Sequence, residues 1–234
     1  MLVMVVDDDL VSRLALIDLM ARAGFTDIIE FEDGQDAWNY LQKGPMPIMC
    51  CCDVRMPKMS GIEVLQNVRR NDRLSELPFI LITSGSEREV VNKAIVLGVS
   101  GYVVKPFNRN SATEKMLEVF NKTYKTVAEK PDATALRLAI ANDKLMSYYQ
   151  AFNVQVEDLI KYVKSSPTSD YTDSIKEQGA ALNQGCLTLG LWHCSKQLDH
   201  WETLEIDLEL TIDYLSPILS TVKYQITLLN EDEQ

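Results

Sequence analysis

Short apolar runs alternate with amphipathic stretches through the first half of the chain. Leu2 to Val6 is apolar throughout and ends in Asp7-Asp8-Asp9, and the stretch Leu10 to Arg22 then carries Leu14, Ile17 and Met20 at helical spacing until Gly24 stops it. Asp27 to Phe31 reads as a second strand, followed after Gly34 by a helix containing Ala37, Trp38 and Leu41. Ile48 to Cys52 reads as a third strand, buried on both faces, that delivers Asp53 at its C-terminal end. Ser60 and Glu63 form a capping box for the next helix, whose Ile62, Leu65 and Val68 share one face. Pro78 opens the strand Phe79 to Thr83, and Ser86 with Glu89 caps a helix that runs through Val90, Ala94 and Leu97 to Gly98. Tyr102 to Val104 is the fifth strand, ended by Lys105-Pro106, and Ser111 with Glu114 caps a last helix through Met116, Val119 and Phe120. Five alternating strand and helix units predict an α/β fold, a doubly wound parallel sheet with helices on both faces, over residues 1–125.

The pattern changes after a polar linker, residues 126–132. Pro131 and Asp132 suit a helix start. From there no convincing strand and no glycine-rich phosphate cradle is found; Leu145, Tyr148, Tyr149, Phe152, Val156, Leu159, Ile160 and Val163 recur at three and four residues. Ser165 to Thr168 breaks that pattern, Asp170 to Leu189 is a second helical segment, Leu191 to Trp201 and Leu204 to Leu215 continue it, and Ser216-Pro217 restarts or kinks a helix reaching Leu229. Residues 133–230 therefore read as an all-helical, up-and-down bundle.

Composition narrows the function classes. No apolar run approaches the length of a membrane span and no basic leader precedes a cleavage site, so a cytoplasmic protein is expected. Five cysteines, three of them consecutive inside an expected strand, suit small core residues in a reducing compartment. The net charge of −11 is uneven: residues 1–130 hold 16 Lys and Arg against 18 Asp and Glu (−2), and residues 131–234 hold 7 against 16 (−9). So acidic a second half is a poor grip for nucleic-acid phosphates and points to a protein partner.

The candidate chemistry lies at the strand ends. In a parallel sheet Asp7, Asp8, Asp53, Thr83 and Lys105 all fall at the carboxyl edge, where such sheets bind ligands. The carboxylates can hold a hard cation such as magnesium, Asp53 can act as a nucleophile toward phosphorus, and the Lys105 ammonium and Thr83 hydroxyl can stabilise a transferring phosphoryl group. Pro57 and Gly61 make the chain after Asp53 a shaped loop.

These residues resemble the receiver domains of two-component response regulators, of the chemotaxis-protein type, over residues 1–125: the acid pair Asp7 and Asp8, Asp53 with Met56-Pro57 and Gly61 behind it, then Thr83, Tyr102 and Lys105-Pro106 in order and spacing. The resemblance implies strand order 2-1-3-4-5 and phosphoryl transfer to Asp53 from the phosphohistidine of a sensor histidine kinase or phosphotransfer protein. It implies magnesium contacts from Asp8, Asp53 and the Arg55 backbone carbonyl, with Asp7 helping through water. It further implies that Thr83 and Tyr102 move together on phosphorylation, that Lys105-Pro106 is a candidate for the cis form, and that the last two receiver helices form a face where family members often pair as homodimers. The domain is then a phosphoacceptor switch and not a separate enzyme.

The second half resembles the histidine phosphotransfer domain in Phe152 to Val163, the Asp170 helix start, and Leu189-Gly190-Leu191 followed by Leu198. Counting back from Gly190 puts the family's phosphohistidine on Ala180, its lysine on Asn183 and its glycine on Gln184, so the groups that carry phosphate are replaced. A competing register uses His193 and Lys196, but Gln197 follows where glycine is needed and Trp201 where small side chains are. The reading is an output module that binds a protein target; its rival is an active phosphotransfer domain through His193, or a receiver phosphatase.

Overall fold

The structure is a computed structural model that describes residues 1–85, 88–165, 172–205 and 207–231. The chain divides into two compact units, residues 2–123 and residues 124–234 together with Met1.

The first unit alternates strand and helix: β1 (Leu2–Val6), α1 (Leu10–Arg22), β2 (Asp27–Phe31), α2 (Gly34–Lys43), β3 (Met49–Asp53), α3 (Gly61–Arg70), β4 (Phe79–Thr83), α4 (Arg88–Val96), β5 (Gly101–Val104) and α5 (Arg109–Val127). All neighbouring strands pair in parallel, in the order β2-β1-β3-β4-β5. The expected doubly wound sheet is present. Met4, Val6, Cys50, Cys52, Phe79 and Leu81 pack with Ala37, Leu41, Ile62, Leu65, Val68 and Ala94 in one apolar cluster. Because side chains alternate along a strand, Val3, Val5, Cys51, Ile80 and Ile82, also buried, serve the opposite face. Cys50, Cys51 and Cys52 are free and fully buried, with thiols pushed well above their ordinary value by desolvation.

Local sequence explains most element ends. Ser60 and Glu63 form the expected capping box of α3. Asp9 and Asp33 cap α1 and α2, accepting backbone N–H bonds from Ser12 and from Gln35 and Asp36. Two expectations are corrected. The buried stripe of α1 is Arg13, Leu16, Leu19 and Met20, while Leu14 is 54% exposed. The last helix starts at Arg109, and its first turn is capped by Asn108, whose Oδ1 accepts from Ser111 N at 3.2 Å, so Ser111 is not the cap. Ser86 of the expected α4 capping pair lies outside the described residues.

In the second unit α6 (Pro131–Leu138), α7 (Asn142–Ser165), α8 (Thr172–Thr188), α9 (Trp192–Glu202) and α10 (Leu208–Glu231) follow one another. Pro131 occupies the first helical turn, as its missing N–H allows. Helices α7, α8, α9 and α10 each pack on the next, and α10 closes on α7, the neighbour-to-neighbour arrangement of a four-helix bundle; α6 adds to α7 and α10. The break and helix start expected at 166–170 lie outside the described residues. Pro217 does not restart a helix: it lies inside α10, where the Ser216 hydroxyl donates to the Ile212 carbonyl at 2.8 Å. The bundle core contains Tyr149, Phe152, Leu198, Trp201, Tyr214 and Val222. Trp201 reaches furthest between helices. Its Nε1 donates to Thr211 Oγ1 at 3.2 Å, and its ring covers Gly179 of α8 so closely that a Cβ there would collide with it. No described helix is long and apolar enough to cross a membrane.

Candidate functional site at the carboxyl edge of the sheet

Three strand exits converge on one ammonium. Asp7 follows the last residue of β1 and is fully buried; Asp53 ends β3 and is almost so. Lys105 follows β5, its backbone N–H donating to the Thr83 carbonyl at 2.8 Å and its peptide bond to Pro106 cis, the form for which the sequence made it a candidate. The Lys105 Nζ lies 2.5 Å from Asp53 Oδ1 and 2.7 Å from Asp7 Oδ2. Burial alone would pull this ammonium down, but its bonds to Asp53 and Asp7 outweigh that and hold it above its ordinary value.

The remaining oxygens are partly committed. Asp53 Oδ2 accepts the Arg55 N–H at 2.6 Å, and Asp7 Oδ1 accepts the Asp9 N–H at 3.0 Å. Asp7 Oδ2, apart from its ion pair, takes no hydrogen bond of regular geometry. Thr83 ends β4 beside Asp53, whose register partner is Ile82; it is buried, and its Oγ1 accepts the Gly85 N–H at 3.3 Å. Tyr102, 48% exposed, lines with Thr83, Val91, Asn92 and Val104 a pocket of about 280 Å³.

The loop after Asp53 is held tightly. Gly61 N donates to the Val54 carbonyl at 3.1 Å, and a Cβ at Gly61 would strike the Asp53 carbonyl, so only glycine lets α3 begin this close. Lys58, in the left-handed region at φ 60°, donates to Asp33 Oδ2 at 2.6 Å and straps the loop to α2. The same bond holds the Asp33 carboxyl below its usual range.

Of the residues singled out in the sequence, Asp7, Asp53 and Lys105 meet, and Thr83 flanks them. Asp8 and Arg55 are exposed, and among the described residues no three Asp, Glu, His or Cys side chains converge. The donor set nevertheless fits magnesium. Two buried carboxylates share one countercharge, one carboxylate oxygen is left without a regular hydrogen bond, and this ion binds through one or two carboxylates while keeping part of its water. Sequence reasoning missed Arg13, Lys58 and Asp33. The available signal was a single arginine in the apolar stripe of α1.

Desolvation raises Asp7 above the usual carboxylate range, Lys105 pulls it part of the way back, and the charge of Asp53 raises it further. The fold therefore binds the Asp7 proton more tightly than the unfolded chain does, and stability is lost as pH rises through the carboxylate range. Asp7→Asn is expected to stabilise the magnesium-free protein by about 0.5–2 kcal/mol at pH 7. In urea titrations the gain grows from acid to neutral pH; a loss at pH 7 would contradict a desolvated Asp7.

Comparison with known proteins places the first unit in a family. The family described as "Response regulator receiver domain" matches residues 3–117. The chain is 35% identical over 122 residues to the chemotaxis protein CheY-3 of Vibrio cholerae, a match covering 52% of this chain and 93% of that protein. The chain belongs to the response regulator receiver family. It is likewise 35% identical to the chemotaxis protein CheY of Pseudomonas aeruginosa, over 52% of this chain and 98% of that protein. Among solved structures, chemotaxis protein CheY4 of Vibrio cholerae shares 27% identity over 50% of this chain and 97% of its own, with a TM-score of 0.46. Receiver domains are phosphoacceptor switches of two-component signalling that interact with histidine kinases or phosphotransfer proteins. The family match ends at residue 117, before the helical unit begins.

That unit's own sequence-predicted residues lie on α8 and α9. Ala180 is exposed on α8, and Asn183 donates from Nδ2 to Asp199 Oδ1 and accepts at Oδ1 from Ser195 Oγ, both at 2.6 Å. His193 lies, partly exposed, in the first turn of α9, with Gln197 and Trp201 buried further along.

Proposed function

We propose that Asp53 accepts a phosphoryl group from a phosphohistidine in a magnesium-dependent reaction, and that its state switches the helical unit toward or away from a protein target. The observation that carries this reading is the Lys105 ammonium set between the Asp53 and Asp7 carboxylates at the sheet's carboxyl edge. With its Oδ2 held by the Arg55 N–H, Asp53 is presented in one orientation. One Asp53 oxygen forms the new O–P bond as the P–N bond to the donor imidazole breaks, the electron pair staying on nitrogen. Lys105 then neutralises charge on the phosphoryl oxygens, and the Thr83 hydroxyl donates to one of them. Asp8, Asp53 and the Arg55 carbonyl, with Asp7 beside them, are the groups that would hold magnesium, and the ion would supply charge neutralisation between the carboxylates and the incoming phosphoryl group.

The pocket between Thr83 and Tyr102 gives the switch room: a threonine hydroxyl drawn toward the phosphoryl group leaves space into which the half-exposed ring turns. The helical unit fits a binder. Where a phosphotransfer domain carries its histidine it has Ala180, its net charge disfavours nucleic acid, and the competing His193 register runs into the buried Trp201.

The test is chemical. The full chain is treated with acetyl phosphate and magnesium and reduced with borohydride, which converts an aspartyl phosphate to homoserine. Mass spectrometry is expected to place homoserine at position 53, with the Asp53→Ala protein as blank. Homoserine elsewhere, or equal labelling of the blank, would overturn the assignment, and label on His193 would favour an active phosphotransfer domain.

A further inference from the structure

Arg13 occupies a core position. It sits in the buried stripe of α1, its side chain only 6% exposed, although a guanidinium keeps its charge and is costly to desolvate. Three bonds compensate: Nε to Glu30 Oε2 at 2.8 Å, Nη2 to Glu32 Oε1 at 3.0 Å, and Nη1 to the backbone carbonyl of Asp7 at 2.8 Å.

The partners are unequal. Glu30 and Glu32 are 52% and 79% exposed, so pairing with them could take place wholly at the surface and does not require a buried arginine. The third bond is the buried one, and it ends on the carbonyl of the peptide that joins Asp7 to Asp8. On the other side of the same residue, Asp7 N donates to the Phe31 carbonyl at 3.1 Å. Asp7 lies one residue beyond β1, where the ladder no longer dictates the backbone. With its N–H fixed by β2 and its carbonyl by Arg13, the Asp7–Asp8 peptide plane has one orientation. That orientation sets both the direction of the Asp7 carboxylate and the point from which the Asp8 side chain departs.

We infer that Arg13 is a positioning residue that clamps the Asp7–Asp8 peptide and so holds the acid pair ready for the cation at Asp53, with Glu30 and Glu32 orienting the clamp. The inference rests on the reading of that edge as the phosphoacceptor site. Without the guanidinium the Asp7 carbonyl loses its buried donor and the peptide rocks, so the acids no longer share one geometry. Arg13→Lys keeps a cation but cannot reach all three acceptors from one planar fork.

The full-length chain, Arg13→Met, Arg13→Lys and the Glu30→Gln/Glu32→Gln double variant are compared. Magnesium affinity is measured by calorimetry without phosphodonor, and hydrogen exchange of the Asp9 amide, which donates to Asp7 Oδ1, is followed in metal-free buffer. Losing a residue that orients ligands typically costs 10–100-fold in metal affinity. Arg13→Met is therefore expected to weaken magnesium about 10-fold or more and to speed exchange at the Asp9 amide. At saturating magnesium its rate with acetyl phosphate is expected to return to within about threefold of wild type, because the clamp acts through the site's geometry and not through the reacting atoms. Arg13→Lys falls between, and the double glutamine variant, whose amides still accept from Arg13, keeps near-wild-type affinity. Unchanged affinity and exchange in Arg13→Met would overturn the clamp, as would an equal loss in the double variant, which would reduce Arg13 to a staple between α1 and β2. If wild type binds no magnesium the site reading itself fails, and the exchange measurement, which needs no ion, still decides the clamp.

Discussion

Lys105→Met is expected to slow modification of Asp53 by acetyl phosphate by about 10²–10³-fold, the usual cost of removing one preorganised group that stabilises transition-state charge. The geometry makes this the most damaging conservative change at the edge. One Nζ serves both carboxylates, at 2.5 Å and 2.7 Å, so its removal leaves Asp7 and Asp53 facing each other without a countercharge. Two like charges in a buried recess cannot both stay ionised easily, and a proton taken up by the pair blunts the nucleophile. Single-turnover labelling across pH is the measurement. The defect is expected to ease as pH rises and the extra proton leaves, and a variant within threefold of wild type at pH 7 would show that the ammonium does not act on the transferring group.

Trp201→Ala is the largest expected loss of stability, about 3–5 kcal/mol for removing a buried indole. The ring belongs to α9, covers Gly179 of α8 and donates to Thr211 of α10, so truncation opens a cavity among three helices and leaves a buried hydroxyl with one partner fewer. The Thr211 hydroxyl still donates to the Asp207 carbonyl, which limits the polar part of the loss. Urea unfolding followed by helical ellipticity reads the change. Asp53 labelling in native buffer is expected to persist, since the receiver unit has its own core. A shift below about 1 kcal/mol would mean that the bundle collapses around the missing ring.

Much of the receiver unit was legible in the sequence, because strand and helix periods differ and each strand ends on or just before a polar residue. Asp53, Thr83 and Lys105 could be assigned to one edge from the alternation alone, since parallel strands send all their C-terminal ends the same way. What failed had no local signal. In α1, Leu14 and Ile17 match a helical repeat as well as Leu16 and Leu19 do; only packing against the sheet decides between them, and the deciding stripe contains a charge, Arg13. The boundary between α6 and α7 carries no glycine: the left-handed residue that ends α6 is Ala139, at φ 54°, where a glycine would have announced the turn. At Pro217 the sequence left a restart and a kink open, and packing keeps the proline inside one continuous helix, α10. The magnesium contacts expected of Asp8 came from resemblance, and its carboxylate is exposed, with no local feature that marks it as a ligand.

The three consecutive thiols of β3 have a practical consequence. Alkylating reagents attack thiolates, and side chains sealed inside the central sheet, whose ionisation burial suppresses, have almost none to offer while the sheet is closed. Cys50, Cys51 and Cys52 thus form a native clock: their slow capture counts how often the strand bearing Asp53 parts from its neighbours, while Cys186 and Cys194, buried in the helical unit, keep separate time for the bundle.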